Sequence, residues 1–440
     1  MNIPINSDVI RVPARQSSFL GLTGGISIVS AVSVLAISFL ANVSFSAIAQ
    51  LNPYVLQVQL GLNPHVQGSV TGLLTSVQEL VAILTSGVAG LYADRFGRRV
   101  LLTVGGAALS AGFIAIMLAG SLADLVAGRV VFALGMTATM TTLLIFNGDY
   151  PTETSRGRWI GLVGFLQAGG SFTAAMTVTS LPAFFQVHTG VDAHLAGLMT
   201  FTSCTILGLA ILSLALWGIR LQDDFKSRGQ HLSILQRLAG GIKEARNPRI
   251  ALGYLASIAS KADLVAINGF LFLWTVRFAG DHHMSVAQGY GTGRRIMAVT
   301  QLGFIFTAPV IGLLLDRMNR TLGMLICFAA ASVAFLTMGA VDDPTGHWVV
   351  ARGLALGISE AAAMVSAFAL IAQQTRPVNR GIIMGMFGTC GALGMLLGAA
   401  GAGYLFDHWR YSAPYLLMGG INVGVTLATL CVLVIDRQRT

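Results

Sequence analysis

The decapeptide GLYADRFGRR at residues 90–99 lies between two long apolar runs and decides the fold of this chain. Four charged residues, Asp94, Arg95, Arg98 and Arg99, fall within six positions. A bilayer accepts long apolar helices, whereas a charged turn between two such helices is stable only at the boundary between membrane and water. The stretch therefore predicts two membrane-spanning helices joined by a tight, charged turn.

A shorter copy of this turn, GLLLDRMNR, begins at Gly312, 222 positions after Gly90, and keeps Asp316, Arg317 and Arg320. The first stretch resembles the G-x-L-a-D-R-x-G-R-R/K loop between helices 2 and 3 of major facilitator superfamily transporters. The second resembles the degenerate copy of that loop between helices 8 and 9. The resemblance covers essentially the whole chain. It implies an all-α polytopic membrane protein with 12 transmembrane helices in two pseudo-symmetric six-helix bundles, and it does not name a substrate.

The composition favours a membrane protein independently of the motif. Hydrophobic residues make up 54% of the chain, charged residues 10%, and the mean hydropathy is +0.74, whereas soluble domains carry roughly 25% charged residues. The net charge of +9 does not indicate nucleic-acid binding, because the positive residues lie in short loops between apolar runs. All four cysteines fall inside apolar runs without ligand-like spacing, and we expect neither a metal site nor a cofactor.

Twelve apolar runs are long enough to cross a bilayer, which needs roughly 20 residues per helix. They occupy residues 25–50, 67–91, 100–120, 126–148, 159–183, 195–219, 250–276, 287–314, 321–341, 347–372, 381–405 and 413–435. The runs predict an N-terminal tail (1–20), an N-terminal bundle (21–219), a polar linker (220–249) with an amphipathic surface helix, a C-terminal bundle (250–436) and a short tail (437–440).

The distribution of basic residues predicts the orientation. The tails, the two Asp-Arg turns, the linker and the loops at 149–158 and 373–380 hold 20 of the 27 Lys and Arg residues. Basic residues collect on the cytoplasmic side of membrane proteins. We therefore expect both termini and the linker in the cytoplasm, and a location in the cell membrane, the inner membrane of a bacterium.

Three carboxylates, Glu79, Asp263 and Glu360, fall inside apolar runs near mid-bilayer. Glu79, for example, lies 11 residues before Gly90, which is about 16 Å along a helix. A charge at that depth is costly unless it is paired or hydrated, so an ionisable residue there indicates a functional site. Because burial disfavours the charged form of a carboxyl, each is a candidate proton carrier. A structural ion pair or a neutral, hydrogen-bonded acid is the alternative.

Two further polar residues accompany these acids at the predicted midplane. Lys261 lies two positions before Asp263, and side chains at i and i+2 of a helix do not face each other. Each is therefore expected to meet a different neighbour, and Lys261 faces either the cavity or a carbonyl or lipid phosphate. Gln301 lies 222 positions after Glu79. The repeat thus pairs an acid with an amide, which favours Glu79 of the N-terminal half as the coupling residue, together with Asp263 or Glu360.

The segment GRVVFALG at residues 128–135 is similar to the helix-4 pattern G-R-x-x-x-G-x-G of sugar-porter-like facilitators. In that group the Arg pairs with an acid of helix 1 during proton coupling. Helix 1 has no carboxylate here, and its largest polar residue at that depth is Asn42. Arg129 and its repeat counterpart Arg352 therefore remain candidates for the site. Glu79 is the suggested partner of Arg129, and a structural role against carbonyl groups is the alternative.

The resemblance also implies a set of gating residues. In the family, Asp94 and Arg98 of the first turn would pair with Asp149 and Arg156 of the loop after helix 4, and so hold helices together. Charge-assisted hydrogen bonds at helix ends would supply the stability. The gating residues predicted in this way are Gly90, Asp94, Arg95, Gly97, Arg98, Arg99, Asp149, Arg156, Asp316, Arg317 and Arg320. The C-terminal copy should be weaker, because its loop at 373–380 lacks acids.

The sequence predicts a secondary active transporter, not an enzyme, that moves a small organic solute by alternating access, with the proton gradient as driving force. Proton symport of a polar or charged metabolite is favoured. Proton-driven export of drugs or lipophilic compounds is the alternative, although helix 5 lacks the Pro of the drug-antiporter motif and offers Gln167 as a substrate hydrogen-bonder instead. A transporter-like sensor is a distant third. We expect a monomer whose partners are its solute and the lipid bilayer.

Overall fold

The computed structural model describes residues 21–23, 25–152, 155–220, 234–375 and 379–439. The predicted N-terminal tail and residues 221–233 of the linker lie outside this range, as do the side chains of Asp94 and Arg156. Within the described range the chain is helical, and Leu22 and Pro151 form a single isolated bridge.

Twelve helices of the described chain are long and apolar enough to cross a membrane. They are α1 (Ile28–Gln59), α2 (Pro64–Ala93), α3 (Arg98–Met117), α4 (Leu122–Asp149), α5 (Gly157–Thr189), α6 (Ala193–Gly218), α7 (Pro248–Asp281), α8 (Val286–Asp316), α9 (Arg320–Gly339), α10 (His347–Gln374), α11 (Ile382–His408) and α12 (Ala413–Ile435). The twelve predicted runs match these spans one for one.

Several helices extend beyond their predicted ends. Helices α1, α5 and α7 each contain an irregular turn and continue past the residue at which the predicted run ends. Arg277, one residue beyond the predicted end of its run, lies in the last turns of α7, where it is buried and donates to the hydroxyl of Tyr411. The linker contains a surface helix, Ile234–Glu244, and the helix that begins at Ala413 continues to Arg439.

Each half of the chain forms a bundle with its own apolar interior. Phe113, Phe132 and Phe201 meet in the core of α1–α6, and Phe335 and Tyr415 meet in the core of α7–α12. Large apolar side chains cover much of the outer surface, where lipid contact makes their exposure favourable. The molecule is a multi-pass membrane protein.

Glycine permits the closest helix crossings of the C-terminal half. A Cβ atom at Gly357 of α10 would lie 1.8 Å from the carbonyl oxygen of Thr300 in α8. At Gly394 of α11 it would lie 2.1 Å from the carbonyl oxygen of Ile258 in α7. Small residues allow membrane helices to approach to this degree. These contacts hold α8, α10, α7 and α11 around the centre of the molecule.

The two halves contact each other on the side of the molecule opposite the linker helix. We call the side that carries the linker helix the linker side and the opposite one the far side. On the far side the hydroxyl of Tyr290 in α8 donates to the carbonyl oxygen of Gln50 in α1 and accepts from the backbone N–H of Tyr54. Towards the linker side, a Cβ atom at Gly164 of α5 or Gly388 of α11 would meet nothing within 4 Å.

Candidate functional site

A cavity of about 160 Å³ lies between the two halves near the centre of the bundle. Helices α1 and α5 form its wall on one side, and α7, α8 and α10 form the other. The polar residues that line it are Asn42, Gln167, Ser171, Lys261, Asn268, Thr300, Gln301 and Glu360. Five of these, Asn42, Gln167, Lys261, Gln301 and Glu360, belong to the candidate set from the sequence. The structure therefore brings together residues that lie up to 318 positions apart, from Asn42 to Glu360.

Two of the three predicted acids form a buried carboxyl pair behind the cavity wall. Asp263 and Glu360 are 0% and 1% exposed, and their carboxyl groups lie close enough to interact with each other. The amide nitrogen of Asn422 in α12 donates to both oxygens of Asp263, at 3.0 Å each. Among the described residues, no N–H group and no hydroxyl donates to Glu360. Two carboxylates this close together would repel each other, so we expect the pair to hold one proton.

Lys261 lies between this pair and the third predicted acid. Its ammonium group is close enough to both Glu360 and Glu79 to interact with them electrostatically, yet it forms no salt bridge or hydrogen bond with any described residue. The stem of the side chain passes over Gly391 of α11, where a Cβ atom would lie 2.8 Å from the Lys261 Cγ. As expected for positions i and i+2, Asp263 meets a neighbour that Lys261 does not, the Asn422 amide.

Glu79 is buried in the contact between α2 and α11, at 7% exposure, and does not line the cavity. One turn earlier in α2, Ser76 donates to the carbonyl oxygen of Leu396 in α11, which fixes the crossing. Glu79 forms no hydrogen bond within the described chain. Glu79 therefore interacts with the site only through the charge of Lys261. Gln301, its counterpart in the second repeat, does line the cavity.

The amide residues of the cavity differ in how far their hydrogen bonds are satisfied. Asn42 donates to the backbone carbonyl of Gln167 and to the hydroxyl of Ser171, at 2.7 Å for the latter, which joins α1 to α5. Gln301 has only the sulfur of Met297, at 3.5 Å, as a described partner. The side-chain amide of Gln167 forms no hydrogen bond with the described residues. Gln167 and Gln301 are therefore available to a solute.

Arg129 does not pair with Glu79, contrary to the interpretation suggested by the sequence. Its guanidinium donates to the carbonyl oxygen of Ile48 and to Oδ1 of Asn52, at 3.1 and 2.7 Å, and is 4% exposed. Asn52 in turn donates to the hydroxyl of Thr71. A helix carbonyl beside an irregular turn is a favourable acceptor, so Arg129 is bound to the bend of α1, away from the cavity. Its repeat counterpart Arg352 is half-buried and also lies outside the cavity wall.

The charged turn at 90–99 connects α2 and α3 to their neighbours on the linker side. Gly97 has φ of 100°, which favours glycine, and lets α3 start directly after α2. Arg98 is buried and forms an ion pair with Asp149 of α4, while Arg99 donates to the carbonyl oxygen of Leu216 in α6. Arg95 lies over the ring of Phe96. The contacts of Asp94 and Arg156 lie outside the described side chains.

The copy of this turn in the C-terminal half has looser contacts. Arg320 lies 3.4 Å from Asp316, one helical turn away, and donates to the carbonyl oxygen of Ala369 in α10 at 3.0 Å. The side chain of Asp316 is 70% exposed, and Arg317 is exposed as well. Pairs exposed to this extent contribute little to stability. Gly90 and Gly312, the first residues of the two turns, leave open space beside them.

Sequence reasoning missed three residues that complete the site. Asn422 hydrogen-bonds Asp263 from α12, Ser171 hydrogen-bonds Asn42 from α5, and Asn268 lies in an irregular turn of α7 at the cavity wall. The amide nitrogen of Asn268 donates to the Leu264 carbonyl, which leaves its buried Oδ1 without a described partner. A lone Asn within an apolar run is the signal that could have identified Asn422 and Asn268.

On the far side, Asp407 at the end of α11 caps the first turn of α2 in the opposite half. Its two carboxylate oxygens accept from the backbone N–H groups of Gly68 and Ser69, at 2.8 and 2.6 Å. A carboxylate is stabilised at a helix N-terminus by these groups and by the helix dipole. We call this contact the far-side latch. It joins the two halves, and we expect it to break if the far side opens.

We expect Asp407→Ala to increase access to the cavity from the far side. Loss of a charge-assisted contact is worth about 1.5–3 kcal/mol, which corresponds to roughly tenfold or more in the open population. The measurement is the rate at which a membrane-impermeant maleimide, added from the far side, labels Phe45→Cys in a background without the four native cysteines. Asp343→Ala removes a far-side acid that bonds only within its own loop and should leave the rate unchanged. An equal rate in both variants would contradict the latch.

Comparison with known proteins agrees with this architecture. The sequence model of the Major Facilitator Superfamily matches residues 34–293 and 264–440. The chain is 22% identical over 406 residues to the magnetosome protein MamH of Paramagnetospirillum magneticum, covering 90% of each chain. It is 26% identical to the magnetosome protein MamZ of Magnetospirillum gryphiswaldense, of which it covers 54%. It is 27% identical to the tetracenomycin C resistance and export protein of Streptomyces glaucescens, over 74% of this chain and 66% of that protein.

Solved transporter structures share the fold. The nucleoside transporter NupG, in a mutant form, superposes with a TM-score of 0.74 at 15% identity, over 91% of this chain and 99% of that one. A structure of proton-dependent oligopeptide transporters gives a TM-score of 0.70, also at 15% identity, over 94% and 99% of the two chains. With the twelve spans, the duplicated turn and the central cavity between two bundles, the family match establishes that this chain belongs to the Major Facilitator Superfamily and is a transporter of that family.

Proposed function

We propose that this transporter couples the movement of a small polar organic solute to the movement of protons, with symport as the favoured direction of coupling. The observation that carries the proposal is the buried carboxyl pair of Asp263 and Glu360 directly behind the wall of the central cavity. Ionisable residues in membrane spans mark proton or substrate pathways. Here the pair lies where a proton and a solute can affect each other's binding.

We assign the proton of the pair to Glu360. Because the amide of Asn422 donates to both oxygens of Asp263, Asp263 is the carboxyl that is stabilised as a carboxylate, and the proton falls to Glu360. Lys261 lies close enough to Glu360 to attract its carboxylate once the proton has left. A change in the surroundings of Lys261 therefore changes how readily the proton leaves. Glu360 is thus the proposed proton carrier, and Asp263, Asn422 and Lys261 are positioning residues.

The coupling follows from the position of Lys261 between acids and cavity. When Glu360 loses its proton, the carboxylate attracts Lys261; when it is protonated, Lys261 is available to a solute. Glu79 acts on the same ammonium from α2, so it contributes to the balance without contacting the solute. Proton and solute binding then support each other, which is the thermodynamic requirement for symport.

Alternating access is the proposed route across the membrane. On the far side the two halves are joined by the Asp407 latch and by Tyr290, whereas Gly164 of α5 and Gly388 of α11 have open space beside them towards the linker side. Parallel repeats place a binding site at the interface between the halves, near the midplane, and rocking of one half against the other exposes it to each side. We propose that the linker side is the cytoplasmic side of a bacterial inner membrane and that the transporter works as a monomer.

Export of lipophilic compounds is the second candidate function. It is favoured by similarity to an export protein and by the apolar part of the cavity wall, which includes Phe45, Ile267 and Phe304. Such a transporter would exchange protons for solute instead of moving both together. A sensor that binds solute without transport is a third and more distant alternative.

The test is solute-driven proton flux in proteoliposomes loaded with a pH-sensitive dye, for solutes chosen by thermal stabilisation of the purified protein. Symport predicts that an inward solute gradient acidifies the vesicle interior. Exchange predicts alkalinisation for the same gradient and would support the export function. Binding without any proton flux, in vesicles that are shown to be sealed, would contradict proton coupling and favour a sensor or an uncoupled transporter.

A further inference from the structure

We infer that the solute is a small organic anion whose negative group binds Lys261, an inference that rests on the central cavity being the transport site proposed above. The observation that carries it is a difference in exposure between the charges of the site. Lys261 reaches the cavity surface, whereas Asp263 and Glu360 are almost wholly covered by protein. The charged group that a solute in the cavity can contact is therefore the positive ammonium of Lys261.

The burial of the acids limits what can touch them. Neither oxygen of Glu360 is open to the cavity, although other atoms of the residue line it. Asp263 is 0% exposed and Glu79 is outside the cavity wall. A proton can reach covered carboxyls through hydrogen bonds, but a solute cation needs direct contact with their oxygens. The acids are therefore suited to bind protons and unsuited to bind a cationic solute.

Lys261, in contrast to the acids, can be contacted by a solute. It is partly exposed, is held on its stem by the crossing at Gly391, and has no salt bridge or hydrogen bond within the described chain. A positive group held in low-dielectric surroundings without a direct partner attracts an anion strongly. The side-chain amides of Gln167 and Gln301 line the same cavity and can donate to the remaining oxygens of a carboxylate.

The cavity also indicates the size of the anion and the apolar character of its carbon skeleton. Its volume is about 160 Å³, below the roughly 300–1,000 Å³ of most ligand pockets, which favours a small solute. Phe45, Ile267 and Phe304 provide apolar contacts for a carbon skeleton. A short-chain or small aromatic carboxylate matches both the polar and the apolar parts of this wall.

Charge balance connects the anion to the proton. With Glu360 protonated, the anion neutralises Lys261, and the loaded site gains no net charge from the two ligands together. When the proton leaves, the Glu360 carboxylate competes with the anion for Lys261 and weakens its binding. One proton and one monovalent anion then cross together. A cation exchanged for protons would instead need carboxylate oxygens at the cavity surface.

The experiment uses two sets of matched probes that differ in charge and little in shape. They are lactate, lactamide and 1-amino-2-propanol, and benzoate, benzamide and benzylamine. Binding to the purified full-length protein is measured by thermal stabilisation and by isothermal calorimetry at mildly acidic and mildly alkaline pH. We expect at least one anion to bind, more tightly at acidic pH, and its amide and amine analogues to bind at least about tenfold more weakly.

Lys261→Met should lower the affinity for the anion about tenfold or more, while Lys261→Arg, which keeps the charge, should retain part of it. If the Met variant fails to fold, the relative affinities of the wild-type protein for the anion, amide and amine probes still test the inference. Preference for an amine or amide, absence of binding by both anions, or unchanged binding in Lys261→Met would overturn the inference. Anion binding without proton flux would support the inferred anion site and refute proton coupling. Transport of an amine in exchange for protons would refute the anion site and support proton coupling.

Discussion

Glu360→Gln is expected to abolish proton-driven accumulation while leaving solute exchange intact. The Gln side chain has nearly the same shape and can still donate to Asp263, so the cavity is kept, but it cannot release a proton. With the membrane potential clamped to zero, a gradient of one pH unit supports about tenfold accumulation by a transporter that moves one proton per solute. The expected ratio for the variant is about one. Accumulation and counterflow of a labelled solute in the same proteoliposomes measure the two activities.

The third acid provides the matched control for that result. Glu79→Gln removes a carboxyl of equal type from the same depth, but one that does not line the cavity. We expect it to shift the pH dependence of transport, through Lys261, and to leave accumulation in place. If Glu79→Gln lost accumulation and Glu360→Gln kept it, the proton carrier would be Glu79 and the assignment made from the carboxyl pair would be wrong.

Arg129→Met is expected to cause a large loss of stability in the N-terminal half. Its guanidinium is buried and donates to Ile48 and Asn52 at the bend of α1. Hydrogen bonds to a charged group contribute about 1.5–3 kcal/mol, and removal leaves Asn52 without this donor in an apolar setting. We expect a loss of about 2–4 kcal/mol, seen as a fall of several degrees in the thermal unfolding midpoint in detergent.

The repeat supplies a control for Arg129. Arg352 occupies the corresponding position in α10 but is half-buried and forms no hydrogen bond or ion pair with any described residue. Arg352→Met should therefore change the midpoint little. Equal destabilisation by the two substitutions would mean that the Arg side chains act through packing, and that the hydrogen bonds at the bend are not the cause.

Sequence reasoning predicted the fold because membrane insertion depends on properties that a linear chain displays directly. The apolar runs, the charged turn and its copy are local features, and the bilayer fixes their depth. The same reasoning identified the height of Glu79, Asp263 and Glu360. The helix ends were less accurate at α1, α5 and α7, each of which contains an irregular turn and continues past the end of its apolar run.

The direction in which each side chain points could not be predicted in the same way. The depth of a residue in the membrane follows from its position along the helix. The direction in which its side chain points depends on contacts with helices that are distant in sequence. Arg129 was therefore assigned the wrong partner, since the irregular turn at Asn52 was not foreseen. Asn422 was missed because the sequence interpretation relied on charged residues, and an amide carries no charge. Asn422 nevertheless orients Asp263 from α12.

The central claim is that Asp263 and Glu360 share one proton, and infrared spectroscopy of protonated carboxyl groups tests it most directly. Wild-type protein at neutral pH should show a buried protonated-carboxyl band that survives in Glu79→Gln. The band should disappear in Glu360→Gln, and in Asp263→Asn it should shift, because the proton then lacks its charged acceptor. A wild-type protein without such a band, or a band that is unchanged in both Glu360→Gln and Asp263→Asn, would contradict the account.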